Sequence, residues 1–137
     1  MQNNVSTETY QPKKKKIGRS ILVVDDSESI REVVSMGLRE AGYEVIVGED
    51  GSDGLRLLLE NKVDLIISDL NMPVMDGITF LKEVRKIAMY KYLPVLILTT
   101  ESQEAKKLEA KSAGATGWII KPFVKEKLIA VVKKVLN

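Results

Sequence analysis

Short continuous apolar runs alternate along this chain with stretches in which apolar residues recur every three or four positions. The runs are Ile21-Leu22-Val23-Val24, Tyr43-Glu44-Val45-Ile46-Val47, residues 64–68 around Leu65-Ile66-Ile67, Val95-Leu96-Ile97-Leu98, and residues 116–120 around Trp118-Ile119-Ile120. Runs this short and this apolar predict strands, most of them buried on both faces of a parallel sheet. Between the runs, Ile30, Val33, Val34 and Leu38 fall at helical spacing, as do Leu55, Leu58 and Leu59; Ile78, Leu81 and Val84; and Leu128, Val131, Val132 and Val135. A fourth helix over residues 102–113 has a weaker apolar face, carried by Ala105 and Leu108. Gly42 and Gly114 stand where helices end. Asn61 closes the second helix, Asp76-Gly77 caps the third, and Pro94 opens the fourth strand. Five β-α units with short connections predict one doubly wound α/β domain, a five-stranded parallel sheet with helices on both faces.

Parallel strands point the same way, so their C-terminal ends share one edge of the sheet, where open α/β sheets bind ligands. The first strand leads into Asp25-Asp26, the third into Asp69, the fourth into Thr99 and the fifth into Lys121-Pro122. The second strand supplies no such residue, which suits a place at the sheet edge. Each residue alone has an ordinary structural use. Asp25-Asp26 with Ser27 suits a helix cap, Asp69 a turn, and Lys121 a surface position. Together at one edge they make a site. Three gathered carboxylates repel one another without a cation, and a lysine ending a buried strand needs an acidic partner.

Composition narrows the chemistry. Cysteine and histidine are both absent. Disulfides, thiolate or imidazole metal sites and serine-triad catalysis are thereby excluded. A metal here must be held by oxygen, which favours Mg²⁺, Mn²⁺ or Ca²⁺. The net charge of +2 is misleading, because residues 1–19 carry five basic side chains against one acid. From residue 20 onward the chain carries sixteen basic and eighteen acidic side chains, which argues against nucleic-acid binding by the folded part. Residues 1–19 read as a disordered basic tail and residues 20–137 as the domain. The run Lys13-Lys14-Lys15-Lys16 is either a solvated leader or an arm that touches an acidic partner or an anionic surface. No secretory core or membrane-length apolar stretch is present, so a cytoplasmic protein is expected.

The residues Asp25-Asp26, the segment Asp69-Leu70-Asn71-Met72-Pro73-Val74-Met75-Asp76-Gly77, Leu98-Thr99-Thr100 and Lys121-Pro122-Phe123 resemble the receiver domain of bacterial two-component response regulators, most like the stand-alone chemotaxis type. The likeness covers residues 20–137, and four motifs in this order are specific. It implies a flavodoxin-like fold with sheet order 2-1-3-4-5. It implies that Asp69 is the phosphoacceptor, taking a phosphoryl group from a sensor histidine kinase or phosphotransfer protein. It implies Mg²⁺, with Mn²⁺ as a substitute, held by Asp25, Asp26, Asp69 and the Asn71 backbone carbonyl. Lys121 would face the phosphoryl group across a cis Lys121–Pro122 bond. Thr99 would act as the switch, with Trp118 as the rotating aromatic; Trp118 is equally a plain half-buried strand residue. The loop carrying Met72 and Met75 would be the kinase side, its methionines either adaptable contacts or loop packing. Asn71 and Glu101 would give a short-lived phosphoryl group with intrinsic self-dephosphorylation.

Lys106, Lys107 and Lys111 put charge where the chemotaxis regulator is partly apolar, so the resemblance does not extend to a flagellar-motor partner. With no segment after the fifth helix, output is expected through a protein contact of helix four, strand five and helix five, without direct DNA or membrane binding. The resting chain is expected to be a monomer, with a phosphorylation-dependent dimer left open. Two other functions compete: a phosphorelay intermediate that passes its group to a histidine protein, and an aspartate-dependent phosphohydrolase of the haloacid dehalogenase type. The latter wants a second Asp two positions after the nucleophile, where this chain has Asn71. A phosphorylation-independent scaffold is disfavoured by the intact acids, threonine and lysine.

Overall fold

The computed structural model describes residues 19–137; of the tail expected over residues 1–19, all but Arg19 lies outside the described residues. Ten main elements alternate along the chain. Among the described residues they are β1 (Ser20–Val24), α1 (Glu28–Glu40), β2 (Glu44–Gly48), α2 (Gly51–Glu60), β3 (Leu65–Ser68), α3 (Gly77–Lys86), β4 (Val95–Thr99), α4 (Glu104–Ser112), β5 (Gly117–Ile120) and α5 (Lys125–Leu136), with a 3₁₀ turn at Ala88–Tyr90. All strand pairings are parallel and the order is β2-β1-β3-β4-β5. This is the doubly wound flavodoxin-like arrangement, with β2 at the edge as expected.

Every residue of β3 and β4, and all of β1 after Ser20, is buried. Successive side chains of a strand point to opposite faces, so each central strand feeds two cores. Leu22, Val24, Ile66 and Ile97 pack with Leu58, Phe80, Leu81 and Val84 on one face. Ile21, Val23, Leu65, Ile67, Leu96 and Leu98 pack with Val34, Leu38, Leu128 and Val132 on the other. Fully burying one such aliphatic side chain stabilises by about 1.5–3 kcal/mol.

Local signals explain the element ends. The Ser27, Asp50 and Asp76 side chains accept N–H bonds at the starts of α1, α2 and α3, satisfying donors that have no partner within the helix. Gly42 follows α1 at φ +99°, a conformation that glycine adopts freely. Helix boundaries differ from the sequence expectation by a residue or two, as helix ends commonly do.

The expected apolar faces need correction. Val33 is 50% exposed, Leu59 75% and Leu108 61%, and Ala105 is exposed. On α1 the buried residues are Val34, Ser35, Gly37 and Leu38, and Val33 lies about 100° around the helix from Val34. On α4 only Ala110 is buried.

Candidate functional site

The register aligns the ends of the central strands. Val24 pairs with Ser68, Ser68 with Ile97, and Thr99 with Ile120. The residue after each pairing end therefore emerges at one edge. Asp25 follows β1, Asp69 follows β3, and Lys121 follows β5.

Lys121 Nζ donates to Asp25 Oδ2 at 2.8 Å and to Asp69 Oδ2 at 3.0 Å. All three side chains are largely buried. Asp26 is exposed beside them, and Asp25, Asp26 and Asp69 each offer an oxygen within 4.8 Å of the others. Asp69 Oδ1 accepts from the Leu70 N–H at 2.6 Å and the Asn71 N–H at 3.3 Å. Both carboxylate oxygens of Asp69 are thus oriented. Asp25 Oδ1 accepts from the Ser27 N–H at 2.9 Å. The cap of α1 is Ser27 itself, through the Ile30 N–H, so Asp26 is not the cap and stands exposed at the mouth of the site.

Burial raises the Asp25 pKa, against the opposing pull of the Lys121 ammonium and the Ser27 N–H. For Lys121, burial acts to lower the pKa, but hydrogen bonds to Asp25 and Asp69 outweigh it and the value is raised. Lys121 is therefore a fixed cation at neutral pH, and one ammonium faces three carboxyl groups. A divalent ion would balance the excess charge, and an all-oxygen donor set suits Mg²⁺ or Mn²⁺.

Thr99 is fully buried, and its Oγ1 accepts from the Glu101 N–H at 3.2 Å. The hydroxyl is engaged with its own loop. Trp118 is half-buried on β5. Its indole N–H is buried without a partner among the described residues, and the Lys107 ammonium lies 5.9 Å from the ring centroid. The Lys121–Pro122 bond is cis.

Three supporting residues escaped the sequence reading. Arg31 Nη1 donates to the Asp25 carbonyl at 2.7 Å, and Ser68 Oγ donates to the Asp69 carbonyl at 2.8 Å. Neither spacing carries a signal. From the sequence Gly77 is legible only as part of the Asp76-Gly77 cap. A Cβ there would lie 2.2 Å from the Asp69 carbonyl oxygen and 2.7 Å from Leu70 Cα. Only glycine lets α3 begin this close to the Asp69 backbone, and the Asp-Gly pair was its one legible trace.

Comparisons with known proteins agree with this geometry. Residues 21–133 match the response regulator receiver domain family. Chemotaxis protein CheY-3 of Vibrio cholerae is 40% identical over 113 residues, 79% of this chain and 87% of that protein. The transcriptional regulatory protein PrrA of Mycobacterium tuberculosis is 39% identical over 117 residues, 85% of this chain. The chain spans about half the length of that regulator, 49%. Among solved structures, chemotaxis protein CheY4 of V. cholerae superposes with a TM-score of 0.85 at 48% identity, covering 88% of this chain and all of that one.

Proposed function

Because this chain belongs to the response regulator receiver domain family, whose members are signalling phosphoacceptors, we propose that it is a phosphorylation-driven protein switch acting in the cytoplasm, with Asp69 as the acceptor. One observation carries the reading: Lys121 bridges Asp25 and Asp69 while Asp26 brings a third carboxylate to the same place.

In the proposed reaction an Asp69 carboxylate oxygen attacks the phosphorus of a phosphohistidine on a sensor kinase or phosphotransfer protein. An O–P bond forms, the P–N bond breaks, and its electron pair returns to the imidazole. Positioning and charge neutralisation do most of the catalytic work in such transfers. The Leu70 and Asn71 N–H groups hold the carboxylate at a fixed angle. Lys121 keeps a positive charge where the transferred oxygens arrive. Asp25, Asp26, Asp69 and the Asn71 backbone carbonyl are the groups that would hold Mg²⁺, which supplies the charge that lets this acidic pocket accept a dianion.

The proposed switch begins at Thr99. Its hydroxyl proton can be donated to a phosphoryl oxygen, drawing the loop after β4 inward. Trp118 then turns into the vacated space, and the α4–β5–α5 face changes shape for a downstream protein. Phosphorylation biases two existing states. Among the described residues no helix is long and apolar enough to cross a membrane.

The test is a beryllofluoride titration with Mg²⁺, read by Trp118 fluorescence. A Mg²⁺-dependent change that Asp69→Asn abolishes is expected. An unchanged response in that variant would overturn the assignment. Return of label from the chain to a histidine phosphotransfer domain would make it a relay intermediate, and steady turnover of generic phosphomonoesters a hydrolase.

A further inference from the structure

Asp25 is tied down at every polar group it has. Its N–H donates to the Gly48 carbonyl at 3.2 Å. Its carboxylate accepts from the Ser27 N–H at 2.9 Å and from Lys121 Nζ at 2.8 Å. Its carbonyl accepts from Arg31 Nη1 at 2.7 Å. The first three bonds belong to the sheet edge and the acid cluster. The fourth comes from a half-buried arginine one turn into α1.

The Arg31 bond is not the one its helix offers first. Glu28 stands one turn before it, an ordinary position for a surface ion pair, and the two side chains line the same shallow depression. The guanidinium donates to the Asp25 backbone instead. What that carbonyl controls is Asp26. The peptide between the two residues is planar, so holding the Asp25 oxygen sets the direction in which Asp26 leaves the strand end. The carboxylates of Asp25 and Asp69 are held by hydrogen bonds of their own, whereas Asp26 is exposed. The aim of the Asp26 carboxylate therefore depends on its backbone.

Charge alone would set Arg31 against a metal site. A guanidinium bonded to the Asp25 backbone repels any second cation drawn to the Asp25, Asp26 and Asp69 carboxylates. Its place there makes sense when the geometry it imposes outweighs the repulsion it adds. Groups that orient metal ligands without touching the metal are commonly worth tenfold or more in affinity.

We propose that Arg31 is a positioning residue for the divalent ion of the acid cluster, holding the Asp25–Asp26 peptide so that Asp26 is aimed at the same point as Asp25 and Asp69. The proposal rests on the reading of that cluster as a metal site, and it adds a residue that touches neither the ion nor the phosphoryl group. Arg39 supplies an internal comparison. It lies about two turns further along α1 and lines the same depression. It carries the same charge and also donates to a backbone carbonyl, that of Val45 at 3.2 Å. Val45 pairs with Ile21 near the start of β1, not with the strand ends that carry the acids.

The experiment titrates Mn²⁺ into the full chain and follows the free ion by electron paramagnetic resonance, with Mg²⁺ as competitor. Arg31→Met should bind both ions about tenfold more weakly than the wild type, although it removes a positive charge. Arg39→Met removes the same charge and the same kind of bond and should stay within about twofold, its charge being screened from the site. Arg31→Lys keeps the charge but gives up the planar fork; it should bind about threefold more weakly, and it carries the test if Arg31→Met does not fold. With acetyl phosphate as donor, labelling of Arg31→Met should be slow at low Mg²⁺ and return to the wild-type rate at saturating Mg²⁺. Wild-type or tighter ion binding in the folded Arg31 variants overturns the proposal, because charge then outweighs position. An equal loss in Arg39→Met overturns it too, since the effect then belongs to the helix as a whole. A wild-type chain that takes up neither ion overturns the metal reading of the cluster, and the proposal with it.

Discussion

Helices α3 and α4 are neighbours of nearly equal length, each following a strand that ends at the site, yet they are held very differently. α3 buries Gly77, Ile78, Phe80, Leu81 and Val84 and is capped by the Asp76 side chain. α4 buries Ala110 alone and has no side-chain cap. Its exposed pairs, Lys106–Glu109 at 3.6 Å and Lys107–Glu104 at 3.9 Å, add little in water. The contrast separates two jobs. α3 pins the backbone of Asp69 through the contact at Gly77, so the proposed acceptor stays put. α4 has few buried contacts, which marks the low-stability end of a structure, from which moving elements are drawn. The two helices are joined through Arg85, at the end of α3. Its guanidinium donates to the Tyr90, Leu93 and Gly114 carbonyls at 3.1, 2.7 and 2.6 Å.

The contrast breaks most directly by cutting side chains from each helix. Phe80→Ala should cost about 3–5 kcal/mol in urea unfolding, whereas Leu108→Ala should stay within about 0.5 kcal/mol. Comparable losses would mean that α4 is as firmly packed as α3. Next in size is the effect of metal. Mg²⁺ at about a hundred times its Kd should stabilise the chain by about 2.7 kcal/mol. Hydrogen exchange should show the added protection around Asp69 and α3, and little of it in α4. Asp26→Asn, at the open mouth of the acid cluster, should weaken this stabilisation.

Arg85→Met should remove roughly 1–3 kcal/mol, the worth of charged hydrogen bonds at a half-buried site. Native-state exchange should then quicken in the last turn of α4 before it does in α3. A uniform change would show that Arg85 supports the whole fold and does not join the two helices. The smallest effect is at Lys107, whose ammonium sits over the Trp118 ring. Lys107→Ala should shift Trp118 emission and alter the opening of α4 by about 0.5–1 kcal/mol, leaving α3 untouched.

The architecture was legible because its signal is local. β1, β3 and β4 read as unbroken apolar runs since each lies between two layers of helix, and the alternation of elements then leaves few topologies. The strand-end residues were legible for the same reason. A residue that follows a buried strand has its position in the sheet dictated by the strand, so Asp25, Asp69 and Lys121 met as expected. The exposed side chains were harder to place. Val33, Leu59 and Leu108 all match a helical period, but whether a partner lies over that side of the helix depends on how the helix docks. Arg31 and Ser68 carried no signal of their own, because each bonds a backbone carbonyl that any residue type offers, and the close approach of Gly77 to the Asp69 backbone showed only as an Asp-Gly pair.

The order of apolar and polar residues by itself determined a parallel sheet wrapped on both faces and delivered acids, a hydroxyl and an amine to one edge of it. Hydrophobic burial needs only periodicity, which is written along the chain. What the tertiary structure alone decided were distances. Lys121 divides its bonds between Asp25 and Asp69, Gly77 touches the Asp69 backbone, and Arg31 reaches the Asp25 carbonyl. Those depend on how separate segments are pressed together within a few ångströms, and such fine geometry is set by the packing of the whole molecule.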